Sequence, residues 1–190
     1  QKRVSIAMQG GGAHGAFTWG VLDRLLEEKD FVIEGVSGAS AGAMNAVSVA
    51  QGMMEGGNEG ARAALKRYWE TNAKAGETSF LKPGFIDELM HKYTMQNSPS
   101  FVMFDLMCKF LSPYQFNPIG TNPLTEIVNK LFDFENLNKY KDVKVFLSAT
   151  HVYTGKIKIF SNINEELSTE TMLATACLPT LFHAVLVKGE

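Results

Sequence analysis

Two glycine-rich loops, each directly after a short apolar stretch, constrain the fold of this chain most strongly. The first stretch, "RVSIAM" at residues 3–8, is rich in β-branched and apolar residues and ends at Gln9 and three glycines. The second, "FVIEGVS" at residues 31–37, leads into the sequence "GASAG". Short apolar runs bounded by turn residues are typical of buried strands. We therefore predict two strands, each followed by a tight turn.

Helical patterns follow both loops. Residues 15–28 carry apolar side chains at the spacing of one helical face, and residues 40–51 are nearly all small or apolar. The face of the first helix consists of Phe17, Val21, Leu22, Leu25 and Leu26. Strand, helix, strand, helix within about fifty residues indicates a βαβ unit and an α/β fold. The strands of such a parallel sheet are expected to be buried on both faces.

The rest of the chain predicts more helices and three more strands. "VKVFLSATHVYTGKIKIFS" at residues 143–161 predicts two strands joined by a Tyr-Thr-Gly turn, and "AVLVKG" at residues 184–189 predicts a last strand. The predicted helices cover residues 59–75, 84–95, 122–132 and 168–177, the last with Ser168 as its cap and Pro179 beyond its end. The apolar segment 101–111 is either a core helix or a cover over an acyl-chain pocket.

Composition excludes several classes of protein. A chain of 190 residues, 45% hydrophobic, is long enough for one domain with a substantial core. Its net charge of -2 and the absence of a basic tract argue against a nucleic-acid partner. We see no apolar run of membrane-spanning length and no signal peptide. Cys108 and Cys177 lie too far apart in sequence to suggest a disulfide framework, which fits a reducing compartment, and we expect a cytoplasmic protein. Nothing has metal-ligand spacing, so we expect no metal and no cofactor.

The first loop alone allows a nucleotide-binding interpretation. Gly10-Gly11-Gly12-Ala13-His14-Gly15 satisfies G-x-G-x-x-G after a strand, and Glu34 follows at about the distance of a ribose-binding acid. However, Glu34 precedes Gly35-Val36-Ser37 and therefore falls inside the predicted second strand, whereas a ribose-binding acid belongs at a strand's end. A dinucleotide site also has no need of the sequence that follows that strand.

That sequence, Gly38-Ala39-Ser40-Ala41-Gly42, fits the G-x-S-x-G pattern of a nucleophile on a sharp strand-to-helix turn. On its own, Ser40 would as readily be a helix N-cap. In a parallel sheet, however, the loops after both strands emerge at the same edge. Backbone N–H groups of about Gly11 and Gly12 can then face Ser40 and bind the negative oxygen that forms when a serine attacks an ester.

These motifs resemble those of the patatin-like phospholipase family. The resemblance extends to "SATHVYTGKIKIFS" and to "MLATACLPTLFHAVLVKGE", which is similar to the family's Ala-Ser/Thr-x-x-x-Pro-x-x-Phe stretch. It implies a three-layer α/β/α sandwich around a central, mostly parallel sheet. It also implies lipid acyl hydrolysis by a serine–aspartate dyad, with a lipid or acyl-ester substrate and peripheral contact with membranes. A catalytically silent patatin-like domain that binds lipid or a protein partner is the alternative.

Two features depart from the family's pattern. His14 stands where the family usually has Arg or Lys, and we expect the oxyanion hole to survive this change. The family's aspartate lies in an Asp-Gly motif after the strand that "AVLVKG" resembles, and none of the chain's aspartates precedes a glycine. We therefore expect the base beyond Glu190. The aspartates present are Asp23, Asp30, Asp87, Asp105, Asp133 and Asp142. His151 and His183 could suggest a Ser-Asp-His triad, but we favour structural roles for both.

Overall fold

The structure is a computed structural model that describes residues 1–77 and 112–190. The predicted helix at residues 84–95 and the apolar segment 101–111 lie outside these ranges, and so do Asp87, Asp105 and Cys108. The chain divides into two compact units. The first comprises residues 1–71, 123–177 and 184–190, and the second comprises residues 72–122 and 178–183.

The first unit is built on a four-stranded sheet in the order β1-β2-β3-β4. β1 pairs with β2 and β2 with β3 in parallel, whereas β3 and β4 form an antiparallel pair. The strands are β1 (Lys2–Met8), β2 (Phe31–Gly38), β3 (Lys144–Thr150) and β4 (Ile157–Ser161). The predicted α/β fold with a mostly parallel sheet is therefore confirmed, and so are the first four predicted strands.

The described ranges contain six α-helices, and a 3₁₀ turn at Gly12–His14 precedes the first. They are α1 (Gly15–Leu26), α2 (Ala41–Glu77), α3 (Pro113–Phe116), α4 (Leu124–Leu131), α5 (Phe134–Lys139) and α6 (Thr169–Thr175). α2 joins the predicted helices at residues 40–51 and 59–75, with a kink at Gly56 and Gly57, whose backbone angles are not helical. α6 begins as predicted, because the hydroxyl of Ser168 accepts a hydrogen bond from the N–H of Thr171.

The core lies between the sheet and its helices, and the first half of α2 contributes most to it. Residues 41–50 of α2 are all buried, which explains why this helix contains so many small side chains. The expectation that the strands are buried on both faces is wrong. β1 alternates between exposed and partly buried positions along most of its length, Val32 of β2 is 37% exposed, and β3 is also buried on one face only. Val145 and Leu147 are fully buried, but Phe146 between them is 39% exposed, because the described residues cover only one face of this strand.

Two further predictions need correction. Leu22 and Leu26 of α1 are buried as predicted, but the other three residues of the predicted face are exposed: Phe17 at 79%, Val21 at 44% and Leu25 at 37%. Residues 184–189 form no strand. They end in a turn, in which Val187 and Glu190 exchange backbone hydrogen bonds. A strand requires a neighbouring ladder as well as a suitable sequence, and no described strand pairs with this segment.

The second unit is described at residues 72–77, 112–122 and 178–183. α3 begins with a capping box formed by Ser112 and Gln115. The ring of His183 stacks on that of Tyr114, with their centroids 4.2 Å apart. A side chain at Gly120 would meet the same imidazole at 3.0 Å. His183 is thus packed within this unit, as a structural histidine would be.

Candidate active site

Ser40 occupies a sharp turn between the end of β2 and the start of α2. Its φ angle is 53°, in the left-handed region that non-glycine residues rarely adopt. The turn is possible because Gly38 and Gly42, two positions before and after Ser40, have no side chain. A Cβ atom on Gly38 would lie 2.3 Å from the backbone of Gly42, and one on Gly42 would lie 2.2 Å from the carbonyl oxygen of Met8. The small residues of "GASAG" are therefore required by close backbone contacts.

Ser40 does not have the conformation of an ordinary N-cap, which lies in the extended region. In addition, no backbone N–H of α2 donates to its hydroxyl within the described ranges. The half-buried Ser40 side chain is thus held at the N-terminus of a long helix without capping it. Free N–H groups and the helix dipole favour negative charge at this position.

The backbone of Ser40 is held from a distant part of the chain. Its N–H donates to Oγ1 of Thr175 over 3.1 Å, and the Thr175 hydroxyl donates to the carbonyl oxygen of Ser148 over 2.6 Å. Thr175 is the last residue of α6, and Ser148 lies in β3. The sequence pattern around Thr175 contributes to the family resemblance but indicates no role for this residue.

The first glycine loop packs directly against the serine turn. A Cβ atom at Gly10 would lie 2.9 Å from the carbonyl oxygen of Ala39 and 3.3 Å from Cβ of Ser40. Gly11 and Gly12 have φ angles of 153° and 57°, and a Cβ at Gly12 would meet nothing within 4 Å. No residue in the described ranges accepts a hydrogen bond from the backbone N–H of Gly11 or Gly12. Two open N–H groups therefore lie in a loop that contacts the serine turn.

A buried asparagine ties the end of this loop to α2. Asn45 is fully buried, and its amide donates to the carbonyl oxygen of Gly15 over 3.0 Å. The indole N–H of Trp69 donates to the amide oxygen of Asn45 over 2.8 Å. Gly15 also lies so close to Ala41 that a Cβ at this position would be 2.8 Å from the alanine methyl group. Neither Asn45 nor Trp69 could be identified from the sequence, because their structural role is a hydrogen bond between two residues 24 positions apart.

His14 closes the glycine loop. Its backbone N–H donates to the carbonyl oxygen of Gly11 over 3.2 Å, and its ring Nδ1 lies 3.1 Å from the same oxygen. These contacts shape the loop and do not involve the N–H groups of Gly11 and Gly12. His151 has a similar local role, since its Nδ1 accepts a hydrogen bond from the N–H of Thr154 in the turn after β3.

Glu34, the acid of the nucleotide-binding alternative, lies in the middle of β2. Val4 pairs with Ile33 and Ser5 with Gly35, so Glu34 occupies an irregularity of the ladder. Its carboxylate forms an ion pair with Arg3 over 2.8 Å. This position inside the strand is the one predicted from the sequence, and it does not suit a ribose-binding acid.

The four described aspartates lie away from the serine turn or are engaged elsewhere. Asp30 and Asp142 precede β2 and β3 and therefore lie at the opposite ends of these strands from Ser40. Asp23 binds Arg62, and this hydrogen bond is the main reason why the pKa of Arg62 is raised. Asp133 caps α5, where hydrogen bonds from the backbone and side chain of Asn136 lower its pKa.

An open cleft borders the serine turn on the side of β3 and β4. Gly38 and Ala39 form its wall next to Ser40, and Phe146, Ser148 and Ile159 continue it along the sheet. Its lining is mostly apolar, which is common among ligand-binding clefts. In the described part of the chain, no three His, Cys, Asp or Glu side chains come together as metal ligands. No described helix is both long and apolar enough to cross a membrane.

Comparison with known proteins identifies the family. The Patatin-like phospholipase family profile matches residues 6–190, nearly the whole chain. The chain belongs to the patatin-like phospholipase family. The motifs "GGGAHG" and "GASAG", together with Thr175 in "ATACLPTLF", all fall within the matched region of this patatin-like chain.

More distant comparisons add little to this assignment. No curated protein matches the patatin-like chain significantly. It is similar to a chain in the structure of the heterodimeric complex ExoU-SpcU from the type III secretion system of Pseudomonas aeruginosa, with 17% sequence identity and a TM-score of 0.34. The match covers 91% of the patatin-like chain but only 36% of the other. This likeness is too remote to support an argument about function.

Proposed function

We propose that this chain is the acyl-hydrolysing part of a lipid acyl hydrolase, with Ser40 as its nucleophile. The observation that carries the proposal is the contact between the glycine loop and the serine turn. The strained Ser40 directly precedes α2, and Gly10 packs against both Ala39 and Ser40. Membership of the patatin-like phospholipase family supports a lipid ester as the substrate, and access to lipid would require peripheral contact with a membrane.

In the proposed reaction, Oγ of Ser40 attacks the carbonyl carbon of the ester and forms a tetrahedral intermediate. The hydroxyl proton passes to a carboxylate base, and the carbonyl electron pair moves onto the oxygen. Collapse of the intermediate expels the alcohol, which takes up the proton, and leaves an acyl-serine ester. Water then hydrolyses this ester by the same steps in reverse, releasing the fatty acid and free serine.

The developing oxyanion would be bound by the N–H groups of Gly11 and Gly12. Both groups lack an acceptor within the described residues, and the loop that carries them contacts the serine turn. The N–H of Ala41, the first residue of α2, is a third candidate donor, because a nucleophile elbow uses the residue after the serine in this way. Donors fixed in advance at the site of charge development are among the most effective catalytic devices.

We propose further that the base is an aspartate other than the four described ones. Those four cap a helix, bind an arginine or lie at the opposite ends of the strands. The expectation that the aspartate follows Glu190 in an Asp-Gly dipeptide stays a prediction. A silent domain, which binds lipid without cleaving it, is the second candidate function, and the same four positions favour it.

The experiment is a comparison of Ser40→Ala with Ser48→Ala in the full-length polypeptide. Ser48 is a suitable control because, among the described residues, its hydroxyl bonds the carbonyl oxygen of Met44 alone, within the same helix. We expect Ser40→Ala to abolish both hydrolysis of a short p-nitrophenyl ester and labelling by a fluorophosphonate probe, with little change in the melting temperature. Mass spectrometry should locate the label of the wild-type protein in residues 34–47.

Three outcomes would contradict parts of the proposal. Near wild-type turnover by Ser40→Ala would exclude this serine as the nucleophile. Vesicle binding by a folded wild-type protein that neither hydrolyses esters nor reacts with the probe would favour the silent domain. The base is tested by Asp→Asn substitution at Asp23, Asp30, Asp133 and Asp142, each of which should preserve turnover. Loss of turnover in one folded variant would identify that residue as the base.

A further inference from the structure

The parallel ladder between β2 and β3 stops just before the serine turn. Its last pair is Gly38 with Leu147. If this register continued, Ser40 would lie opposite Ala149. The N–H of Ser40 would then face the carbonyl oxygen of Ser148, the residue before Ala149. The chain instead turns sharply at Ser40 into α2, so that this ladder bond is not made directly.

The hydroxyl of Thr175 bridges the same two groups. It accepts the N–H of Ser40 and donates its own hydrogen to the carbonyl oxygen of Ser148. Because the hydroxyl hydrogen is used by Ser148, a lone pair of the oxygen is directed to Ser40. Thr175 therefore completes the ladder at the point where the backbone leaves it.

The position of this hydroxyl is itself fixed. Thr175 ends α6, whose first turn is held by a capping box between Ser168 and Thr171. α6 packs against β3, which carries Ser148. The half-buried Thr175 thus connects the serine turn to a rigid strand and a capped helix.

We propose that Thr175 is a positioning residue for the nucleophile, an inference that rests on the proposed function of Ser40. A serine with a φ angle of 53° is in a conformation that the surrounding structure must maintain. Loss of the Thr175 hydroxyl would leave the Ser40 N–H without its acceptor, so that the turn could relax. The serine oxygen would then move away from the attack position while the cleft that holds the substrate remained intact.

The test replaces the hydroxyl with a methyl group of similar size in Thr175→Val and preserves it in Thr175→Ser. Thr169→Val is the matched control, because it makes the same change in the same helix at a hydroxyl that bonds Asn129. In the full-length polypeptide we expect kcat and the rate of fluorophosphonate labelling to fall about 10- to 100-fold in Thr175→Val, with KM within about twofold. Thr175→Ser should stay within about threefold of the wild type, and Thr169→Val should be unchanged.

Hydrogen–deuterium exchange provides a measurement that does not depend on catalysis. The peptide covering residues 34–47 should exchange faster in Thr175→Val than in the wild type or in Thr169→Val. If Thr175→Val is not recovered folded, Thr175→Cys decides the matter, because its thiol is only a weak hydrogen-bonding group. At least a fivefold loss of kcat in Thr175→Cys would support the inference, whereas wild-type kcat would overturn it.

The remaining outcomes separate this inference from the proposed function. A folded Thr175→Val protein with wild-type kcat and unchanged exchange would overturn the inference, and so would a Thr175→Ser protein as impaired as Thr175→Val. If Ser40→Ala is inactive in the same assay, the proposed function survives that result. If Ser40→Ala is fully active, the proposed function fails. Exchange of residues 34–47 then decides alone whether Thr175 holds the turn.

Discussion

At the scale of single residues, the glycines of the site have two different functions. Gly38 and Gly42 are required because any side chain would overlap backbone atoms within 2.3 Å. Gly12 has ample space around it, and its φ angle of 57° is the reason why a larger residue would be strained. Substitution at Gly38 should therefore disrupt the fold, whereas substitution at Gly12 should mainly affect the chemistry.

Gly12→Val tests the oxyanion hole at this scale. The valine side chain should block the approach of the substrate to the neighbouring N–H groups, and losing one donor typically costs about 100- to 1000-fold in kcat. Gly57→Val is the matched control, because Gly57 has a φ angle of 61° and equally open surroundings in the kink of α2. Steady-state kinetics of both folded variants should show a loss of kcat only in Gly12→Val. Equal activity of the two variants would place the oxyanion hole elsewhere.

At the scale of secondary-structure elements, a buried side chain of α2 holds the start of α1 in place. Asn45 accepts from Trp69 and donates to Gly15, so that it ties the end of the glycine loop to both halves of α2. A buried polar group whose partner is removed costs free energy, because the group has given up its hydrogen bonds to water. The asparagine is therefore important for stability as well as for the position of the glycine loop.

Asn45→Ala should lower the free energy of unfolding by roughly 1–3 kcal/mol, because it leaves the buried indole N–H of Trp69 unpaired, whereas the carbonyl of Gly15 keeps its bond within α1. Urea denaturation provides the measurement. Asn164→Ala, at an exposed asparagine, is the control and should change the free energy by less than about 0.5 kcal/mol. A loss for Asn45→Ala no greater than that of the control would show that the buried network contributes nothing to stability.

The elements that could be predicted from the sequence are those determined by local patterns. β1, β2 and α6 follow from apolar runs and caps, and the two glycine motifs are sufficient to locate the serine turn. Residues 184–189 have the composition of a strand but no described partner strand, which a sequence pattern cannot supply. Thr175 could not be predicted for a similar reason, since its role depends on Ser40, 135 positions away, and on Ser148 in another element.

At the scale of the whole molecule, the core of the first unit includes an aromatic cluster around Tyr68. This tyrosine is only 4% exposed and contacts Trp69 edge-on, with ring centroids 5.3 Å apart. It also stacks on Phe132, the residue after α4. Burial disfavours the charged phenolate and raises the pKa of Tyr68 to about 12. Tyr68 should therefore make the stability of the folded chain depend on pH in the alkaline range.

Between pH 10 and about 12, the unfolded chain releases the Tyr68 proton while the folded chain retains it. The unfolded state then binds fewer protons, so that the free energy of unfolding falls as pH rises, by about 1.4 kcal/mol per pH unit.

Tyr68→Phe removes this contribution. We expect the difference in unfolding free energy between wild type and Tyr68→Phe, measured with urea, to shift by about 1.4 kcal/mol in favour of the variant from pH 8 to pH 11. The pH 8 measurement accounts for any change in packing, because the tyrosine is neutral in both states there. An identical difference at the two pH values would mean that Tyr68 ionises as readily in the folded protein as in the unfolded chain, which its burial in the aromatic cluster argues against.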